Sequence, residues 1–381
     1  MKPVRFIHTS DIHLDTSFSG SEIPSRLGDR KREAIRAALR RILEDATLGE
    51  AGLVLIAGDL FESDRVTPDT CEFLKQQFEK AAGVRIFIAP GNHDPFAKGS
   101  PYREDSWPGN VHIFDEEEWR SVDLPELGVR VTGFGFRHNY LETRPFLKLP
   151  SLPGDRVNIV MAHASDLGGV PAGKSKHAPF TAAEIAGKNV QYCALGHYHE
   201  QRRVENPGDG ALIWYSGIPE GRGWDEAGPR GYLFGEIDGG GVRVEGRVSS
   251  RFDWNTLEIA CDEFSTREQV LDAVTRHRGA GYGAESLLRV RLVGALDPRL
   301  DLSLQELGER LAGECLLVQW DDATHPAIDF DQVAGEKTLR GRFVRLMNER
   351  IASAGAGERE ALERARLYGV EALGGREVRL R

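Results

Sequence analysis

The chain of 381 residues is poor in cysteine, methionine and aromatic side chains, and it has no long apolar run. Its four cysteines, Cys71, Cys193, Cys261 and Cys315, stand far apart with no Cys-x-x-Cys pair. That argues against a disulfide framework or a thiolate zinc site and leaves them as buried thiols. The longest apolar runs, such as residues 53–57, fall far short of the roughly 20 residues that cross a bilayer, so no membrane span is expected. Residue 4 enters a strand-like segment without the apolar stretch or small-residue cleavage site of a secretory signal, so a cytoplasmic location is expected. Internal repeats and low-complexity tracts are also missing.

What is present is an ordinary globular composition, 40% hydrophobic and 28% charged. At roughly 100–200 residues per domain, the length implies two domains, or one with an appendage. The formal net charge of −10 weighs against nonspecific binding to nucleic acid, yet residues 337–381 hold 11 basic and 6 acidic side chains. Nine of the 11 histidines precede residue 200, which points to chemistry in the first part of the chain.

Short apolar runs at residues 4–10, 53–57 and 84–89 alternate with helical patterns, as in a sheet flanked by helices. In the first helix Ile35, Leu39, Ile42 and Ala46 form a core-facing stripe. Beyond residue 111 the pattern is mostly strand, at residues 129–134, 158–162, 192–195, 212–215 and 231–237, with a tight turn at 238–241. The first domain is expected at 1–252. A small α/β domain follows at 253–328, with strands at 255–260, 286–293 and 316–320. Ser265 with Glu268 and Ser303 with Glu306 read as capping boxes that open its helices. A basic helical tail occupies 329–381.

Polar residues gather just after predicted strands, where open α/β folds place their sites. They are Asp11 with His13, Asp59 after Gly58, Asn92 and His93 in Gly91-Asn92-His93-Asp94, His163, and His197 with His199. Such a mixed nitrogen and oxygen set suits Mn²⁺, Fe or Zn²⁺, with enough donors for two ions about 3.5–4 Å apart and a carboxylate such as Asp59 to bridge them. Two ions activate a shared water as hydroxide and neutralise a phosphoryl transition state, so phosphoester hydrolysis is the natural reaction. One such motif alone is commonplace. The whole series, in order and at strand ends, is not.

Asp11-x-His13, Gly58-Asp59, Gly91-Asn92-His93-Asp94, His163 and Gly196-His197-x-His199 resemble the full signature of the calcineurin-like metallophosphoesterases, over residues 1 to about 237. Residues 6–14, 57–61 and 215–220 are similar to the D subunit of the bacterial SbcCD nuclease and to the YhaO group of DNA repair exonucleases. The resemblance implies a four-layered α/β/β/α sandwich with the second domain as a cap. It implies one metal on Asp11, His13, Asp59 and His199, and a second on Asp59, Asn92, His163 and His197. His93 would be the group that protonates the leaving oxygen or stabilises the transition state. Manganese, a coiled-coil ATPase partner of SbcC type, DNA as substrate and a possible homodimer are implied in the same way. Glu62 stands where such nucleases often carry His or Asp. The Asp-Arg-Gly and Gly-Asn-His-Glu motifs of the superfamily's protein phosphatases are missing, which counts against a phosphoprotein substrate.

The expectation is a two-metal DNA exonuclease; a phosphodiesterase of small nucleotides and a non-catalytic scaffold at DNA ends are the alternatives. Arg32, Arg36 and Arg40 read as a solvated helix face, and Arg222, in a glycine-flanked loop, as a candidate substrate contact. His177, between the His163 and His197 motifs, is placed where it could touch the site, but it reads better as a surface-loop histidine. His8, His112, His138, His277 and His325 read as structural, and Trp320 and Phe330 as core. Leu339, Phe343, Leu346, Met347 and Ile351 form an apolar stripe amid basic residues, suited either to packing on its own domain or to docking on the ATPase.

Overall fold

The computed structural model describes residues 3–18, 24–171, 175–206, 210–262, 264–278, 285–297, 300, 302–311, 313–375 and 378. The chain divides into two compact units, Met1–Trp254 and Asn255–Arg381.

The first unit runs β1 (Val4–Thr9), α1 (Ser25–Leu48), β2 (Leu53–Ile56), α2 (Pro68–Lys80), β3 (Arg85–Ile88), α3 (Pro101–Glu104) and β4 (Val111–Ile113). It continues β5 (Arg120–Leu124), β6 (Val129–Gly133), β7 (Val157–His163), β8 (Tyr192–Gly196), β9 (Arg202–Arg203), β10 (Leu212–Tyr215), β11 (Gly231–Asp238) and β12 (Gly241–Val248). Two six-stranded sheets result, ordered β12-β11-β1-β2-β3-β4 and β5-β6-β7-β8-β10-β9. Strands β1, β2 and β3 are parallel neighbours in one sheet and β7, β8 and β10 in the other, so each sheet sends several strand ends the same way.

Alternation along the strands builds the layers. Phe6, Leu53, Leu55 and Phe87 of one sheet meet Val131, Ile159, Met161 and Tyr192 of the other in a shared core. Helix α1 buries Ile35, Leu39, Ile42 and Ala46. Its arginine row, expected to be a solvated face, is half-buried, with Arg36 and Arg40 over the Phe73 ring, and is ion-paired, Arg32 to Asp29, Arg36 to Asp69 and Arg40 to Glu33. Helix α2 opens with Pro68 at its first position, and the Thr67 hydroxyl accepts from the Thr70 N–H. The outer face of the second sheet, with Val160, Cys193, Leu195 and Tyr215, packs under Phe146, Leu149, Phe180 and Ile185. The α/β architecture is thus four-layered, but its last layer consists of irregular segments and two single 3₁₀ turns, Pro145–Lys148 and Ala182–Glu184. The turn at 238–241 closes with the Gly240 N–H donating to Asp238 Oδ1 at 2.7 Å.

The second unit takes up β13 (Asp253–Ala260), then α4 (Arg267–Arg278), β14 (Ser286–Leu296), α5 (Leu304–Leu311) and β15 (Leu317–Pro326). Leu257, Ile259, Leu288, Val290 and Leu292 form its core with Val270, Val274, Leu307 and Leu311. The first capping box is displaced by one residue. Gln269 Oε1 accepts from the Ser265 and Thr266 N–H groups while the Thr266 hydroxyl accepts from the Gln269 N–H. Ser303 caps as expected, accepting from the Glu306 N–H. Trp320 and Phe330, expected in the core, are only half-buried.

Helices α6 (Phe330–Gly335), α7 (Leu339–Ser353) and α8 (Ala356–Leu373) follow. Their core is Val333, Val344 and Val370, with Phe343 packed alongside. The apolar stripe of α7 is therefore offset from the expected one. Val344 and Met347 are buried, while Leu339 and Leu346 are 70% and 53% exposed. No helix among the described residues is long and apolar enough to cross a membrane.

Candidate dinuclear metal site

The parallel strand ends place the predicted residues together. Asp11 and His13 follow β1, Asp59 follows β2, and Asn92 and His93 follow β3. His163 ends β7, and His197 and His199 follow β8. The loop after β1 is zipped to the loop after β2: the Asp11 N–H donates to Gly58 O and the His13 N–H to Asp59 O, both at 2.9 Å. Asp11, His13, Asp59 and His197 all have positive φ, a conformation that non-glycine residues adopt only where the surroundings impose it, often at functional sites. Gly58 shares that geometry, and a Cβ there would strike the His163 ring.

The side chains converge. Asp59 Oδ2 lies 3.8 Å from His13 Nε2 and 3.4 Å from His163 Nε2. Asp11 Oδ1 lies 3.7 Å from His199 Nε2. Asp11 also accepts the His197 N–H, and Asp59 Oδ1 accepts the His93 N–H at 2.9 Å. Two of the resulting groups, Asp11 with His13 and His199, and Asp11 with Asp59 and His163, bring their donor atoms within 4.8 Å of one another.

Each imidazole is held by one nitrogen, which leaves the other with its lone pair, the arrangement metal-binding histidines need. His13 Nδ1 bonds Glu62 Oε1 at 2.8 Å, His199 Nδ1 bonds Glu226 Oε1 at 2.5 Å, His163 Nδ1 bonds Ala57 O at 3.0 Å and His197 Nε2 bonds Ser175 O at 3.0 Å. Two observations show that a cation fits. His13 Nε2 is buried with no hydrogen-bond partner. His163 Nε2 faces Asn92 Oδ1 at 3.0 Å, two lone-pair atoms that a shared cation reconciles.

Electrostatics agree. Burial, aided by the Arg222 charge, lowers His13 to a pKa of about 4, and burial lowers His197 to about 3. Both stay neutral and able to bind metal. Burial pushes Asp59 up, but the surrounding histidines outweigh it and hold the carboxyl below its usual range. His93 behaves differently. Exposed at the mouth, its Nδ1 bonds Glu62 Oε2 at 2.7 Å, and that bond raises its pKa to about 9, before any bound cation offsets the rise. Arg222 reaches in from the loop after β10, 3.2 Å from both Glu226 Oε1 and His199 Nδ1.

The sequence reading gave several residues no role that the structure gives them. His177 is not a surface histidine: it is 5% exposed, its ring 5.3 Å from that of His197, because the segment after β7 folds back under Ser165. Glu62 links His13 to His93, and Glu226 orients His199. Asp94 underpins the loops, accepting from the Asp59, Leu60 and Gly91 N–H groups and from the Tyr102 hydroxyl. Glu62 was marked only by its place three residues after Asp59, where related nucleases carry His or Asp, and His177 only by its place between the His163 and His197 motifs; nothing local marked Glu226. His8 is structural as expected, its ring nitrogens engaging the Tyr192 hydroxyl and Leu195 O.

A two-sheet α/β sandwich that delivers a thiolate-free cluster of imidazole, carboxylate and amide donors to its strand ends is the framework of a metal-dependent hydrolase. The model of the calcineurin-like phosphoesterase family matches residues 4–201, and the chain belongs to that family, whose cofactor is a pair of divalent metal ions. The uncharacterized metallophosphoesterase YhaO of Bacillus subtilis is 30% identical over 265 residues, covering 68% of this chain and 63% of that one. The chain thus spans less than two thirds of that relative's length. The DNA double-strand break repair protein Mre11 of Methanopyrus kandleri is 25% identical over 374 residues, 90% of this chain and 78% of that one. Among solved structures, a dimetal phosphatase from Danio rerio is 12% identical, with a TM-score of 0.41, over 65% of this chain and 96% of the other.

Proposed function

We propose that the protein is a phosphodiesterase acting on DNA, an exonuclease, with manganese as its working cation. The observation that carries this is the extent of the likeness to a DNA double-strand break repair protein, which covers 90% of this chain and so runs through both compact units. A second Mre11, from Methanosarcina acetivorans, is 24% identical over 72% of this chain.

In this reading Asp11, His13, Asp59 and His199 hold one cation, and Asp59, Asn92, His163 and His197 hold the other. Bound there, the pair supplies Lewis-acid neutralisation of the phosphoryl charge and a nucleophilic water. The chain's own residues do the rest. Glu62 fixes His93 through Nδ1, so that its Nε2 is free to give a proton to the departing sugar oxygen. Arg222, tethered by Glu226, offers its guanidinium to a non-bridging phosphate oxygen. Leu339 and Leu346, exposed on α7 among Arg342, Arg345 and Arg350, form the docking face for a coiled-coil ATPase.

The test is Mn²⁺-dependent shortening of end-labelled linear DNA by the wild type, Asp59→Asn and His93→Ala. The wild type should degrade DNA, Asp59→Asn should lose at least about 10³-fold, and His93→Ala should lose roughly 10²- to 10⁴-fold while binding its metal. A metal-loaded wild type that leaves DNA intact yet cleaves a small phosphodiester would overturn the DNA assignment.

A further inference from the structure

Tyr140 is 57% exposed and is the only aromatic residue among the large exposed hydrophobics of the described residues. It sits on the loop after β6, and that loop hangs from the segment carrying Asn92 and His93. The Phe136 N–H donates to Pro90 O at 3.0 Å, the Phe96 N–H donates to Phe136 O at 2.6 Å, and Asn139 Nδ2 donates to Asn92 O at 3.0 Å. On the other side of Tyr140, Leu141 O accepts the Ala178 N–H at 2.6 Å. An aromatic ring left in water is thus held on both sides by backbone that also places the site.

The Tyr140 ring meets the His177 ring at 5.2 Å between centroids and 89° between planes. His177 is itself fixed, its N–H bonded to the Ser165 hydroxyl and its Nε2 to the Ser175 hydroxyl, both at 2.9 Å. Beyond it lies His197, so a single imidazole separates the exposed ring from a candidate metal ligand. A nucleobase stands at a comparable remove, one sugar, from its own phosphate. Glu142 accepts the Tyr140 hydroxyl at 2.7 Å, and its carboxylate disfavours a phosphate at this spot, while more than half of the tyrosine stays exposed to an incoming base.

We propose that Tyr140 is the stacking platform for an unpaired nucleobase beside the scissile phosphate, so that the site takes a single-stranded nucleic-acid end; this rests on the DNA-phosphodiesterase reading. Every base has a π-face, so such a platform selects for an unpaired base without selecting a sequence. A paired base keeps its faces inside the duplex and must first be unstacked.

The experiment compares the wild type, Tyr140→Ala and Tyr140→Phe in Mn²⁺. The substrates are a single-stranded oligonucleotide and the same strand with an abasic terminal nucleotide, at each end in turn. Stacking predicts that Tyr140→Ala raises KM about tenfold, equivalent to ~1.4 kcal/mol, with kcat unchanged within about twofold and Tyr140→Phe close to wild type. The abasic strand should impose the same rise on the wild type and no further rise on Tyr140→Ala. An unchanged KM in Tyr140→Ala, or an equal loss on the intact and abasic strands, overturns the platform while the DNA reading stands. A metal-loaded wild type that hydrolyses a p-nitrophenyl phosphodiester but no oligonucleotide overturns the DNA reading itself, and the platform with it.

Discussion

Lys31 and Glu220 form an ion pair sealed inside the first unit, each 1% exposed. Lys31 Nζ donates to Glu220 Oε1 at 2.8 Å and to Gly221 O at 2.5 Å, and it lies 4.6 Å from the centre of the Phe252 ring. Burial lowers the pKa of the ammonium, and the Glu220 charge opposes that fall. Replacing Lys31 with Met keeps an apolar stem of similar reach and strands the carboxylate. Breaking a buried pair from one side costs about 3–5 kcal/mol. Glu220 would keep the Arg251 N–H at 2.6 Å and the Phe252 N–H at 3.3 Å, which places the expected loss near the lower figure. At ~2–4 °C per kcal/mol for a unit of this size, the melting temperature should fall by about 6–12 °C. Lys31→Met with Glu220→Gln removes both charges and should recover more than half of the loss. Tryptophan fluorescence suits the measurement, because the Trp254 ring lies 5.2 Å from Lys31 Nζ. A single variant melting within about 2 °C of the wild type, or a double variant no better than the single, would refute the reasoning. The pair also ties α1 to the loop that bears Arg222 and Glu226, so the fold and the site share this anchor.

Two further predictions concern histidines. Glu62→Gln removes the negative charge and leaves a single acceptor oxygen for the two imidazoles, His13 and His93, that share this carboxylate, so hydrolysis of a phosphodiester with a poor alkoxide leaving group should slow by about 10²-fold. The same variant should lose far less on a p-nitrophenyl ester, whose leaving group needs no proton; equal losses on both esters would show that Glu62 acts elsewhere. His8, buried and held neutral, has its pKa lowered to about 3, whereas the unfolded chain takes up that proton near 6.5. Its share of the stability is therefore complete above pH 6.5 and is lost as pH falls toward 3. At pH 5 the urea-derived stability should have a slope about 1.4 kcal/mol per pH unit shallower in His8→Asn than in the wild type, and identical slopes would contradict the assignment.

The parts of this protein legible in its sequence were those whose signal is local. The stripe of Ile35, Leu39, Ile42 and Ala46 needs only the helical period to declare a buried face, and the structure buries all of them. Leu288, Val290 and Leu292 declare a strand face by alternation in the same way. Where two local patterns compete, sequence is a poorer guide. Ser265 and Thr266 are both good caps, and only the position of Gln269 selects the second. In α7 an apolar residue was available on more than one face, and packing against α6 and α8 selected Val344 over Leu339.

The candidate site divides along the same line. The donor types, their order and their places after strands were set by the sequence, because a parallel strand end is a position that local periodicity reveals. Tertiary structure decided how those donors are held. Glu226 lies 27 residues from the imidazole it orients, and Asp11 accepts an N–H from a residue 186 positions away. His177 reaches His197 only because the chain between β7 and β8 folds back on itself. Such contacts depend on sheet order and on the course of loops, and a periodic pattern carries no information about either. The sequence named the groups able to bind a metal; the fold chose which nitrogen of each histidine a hydrogen bond ties up.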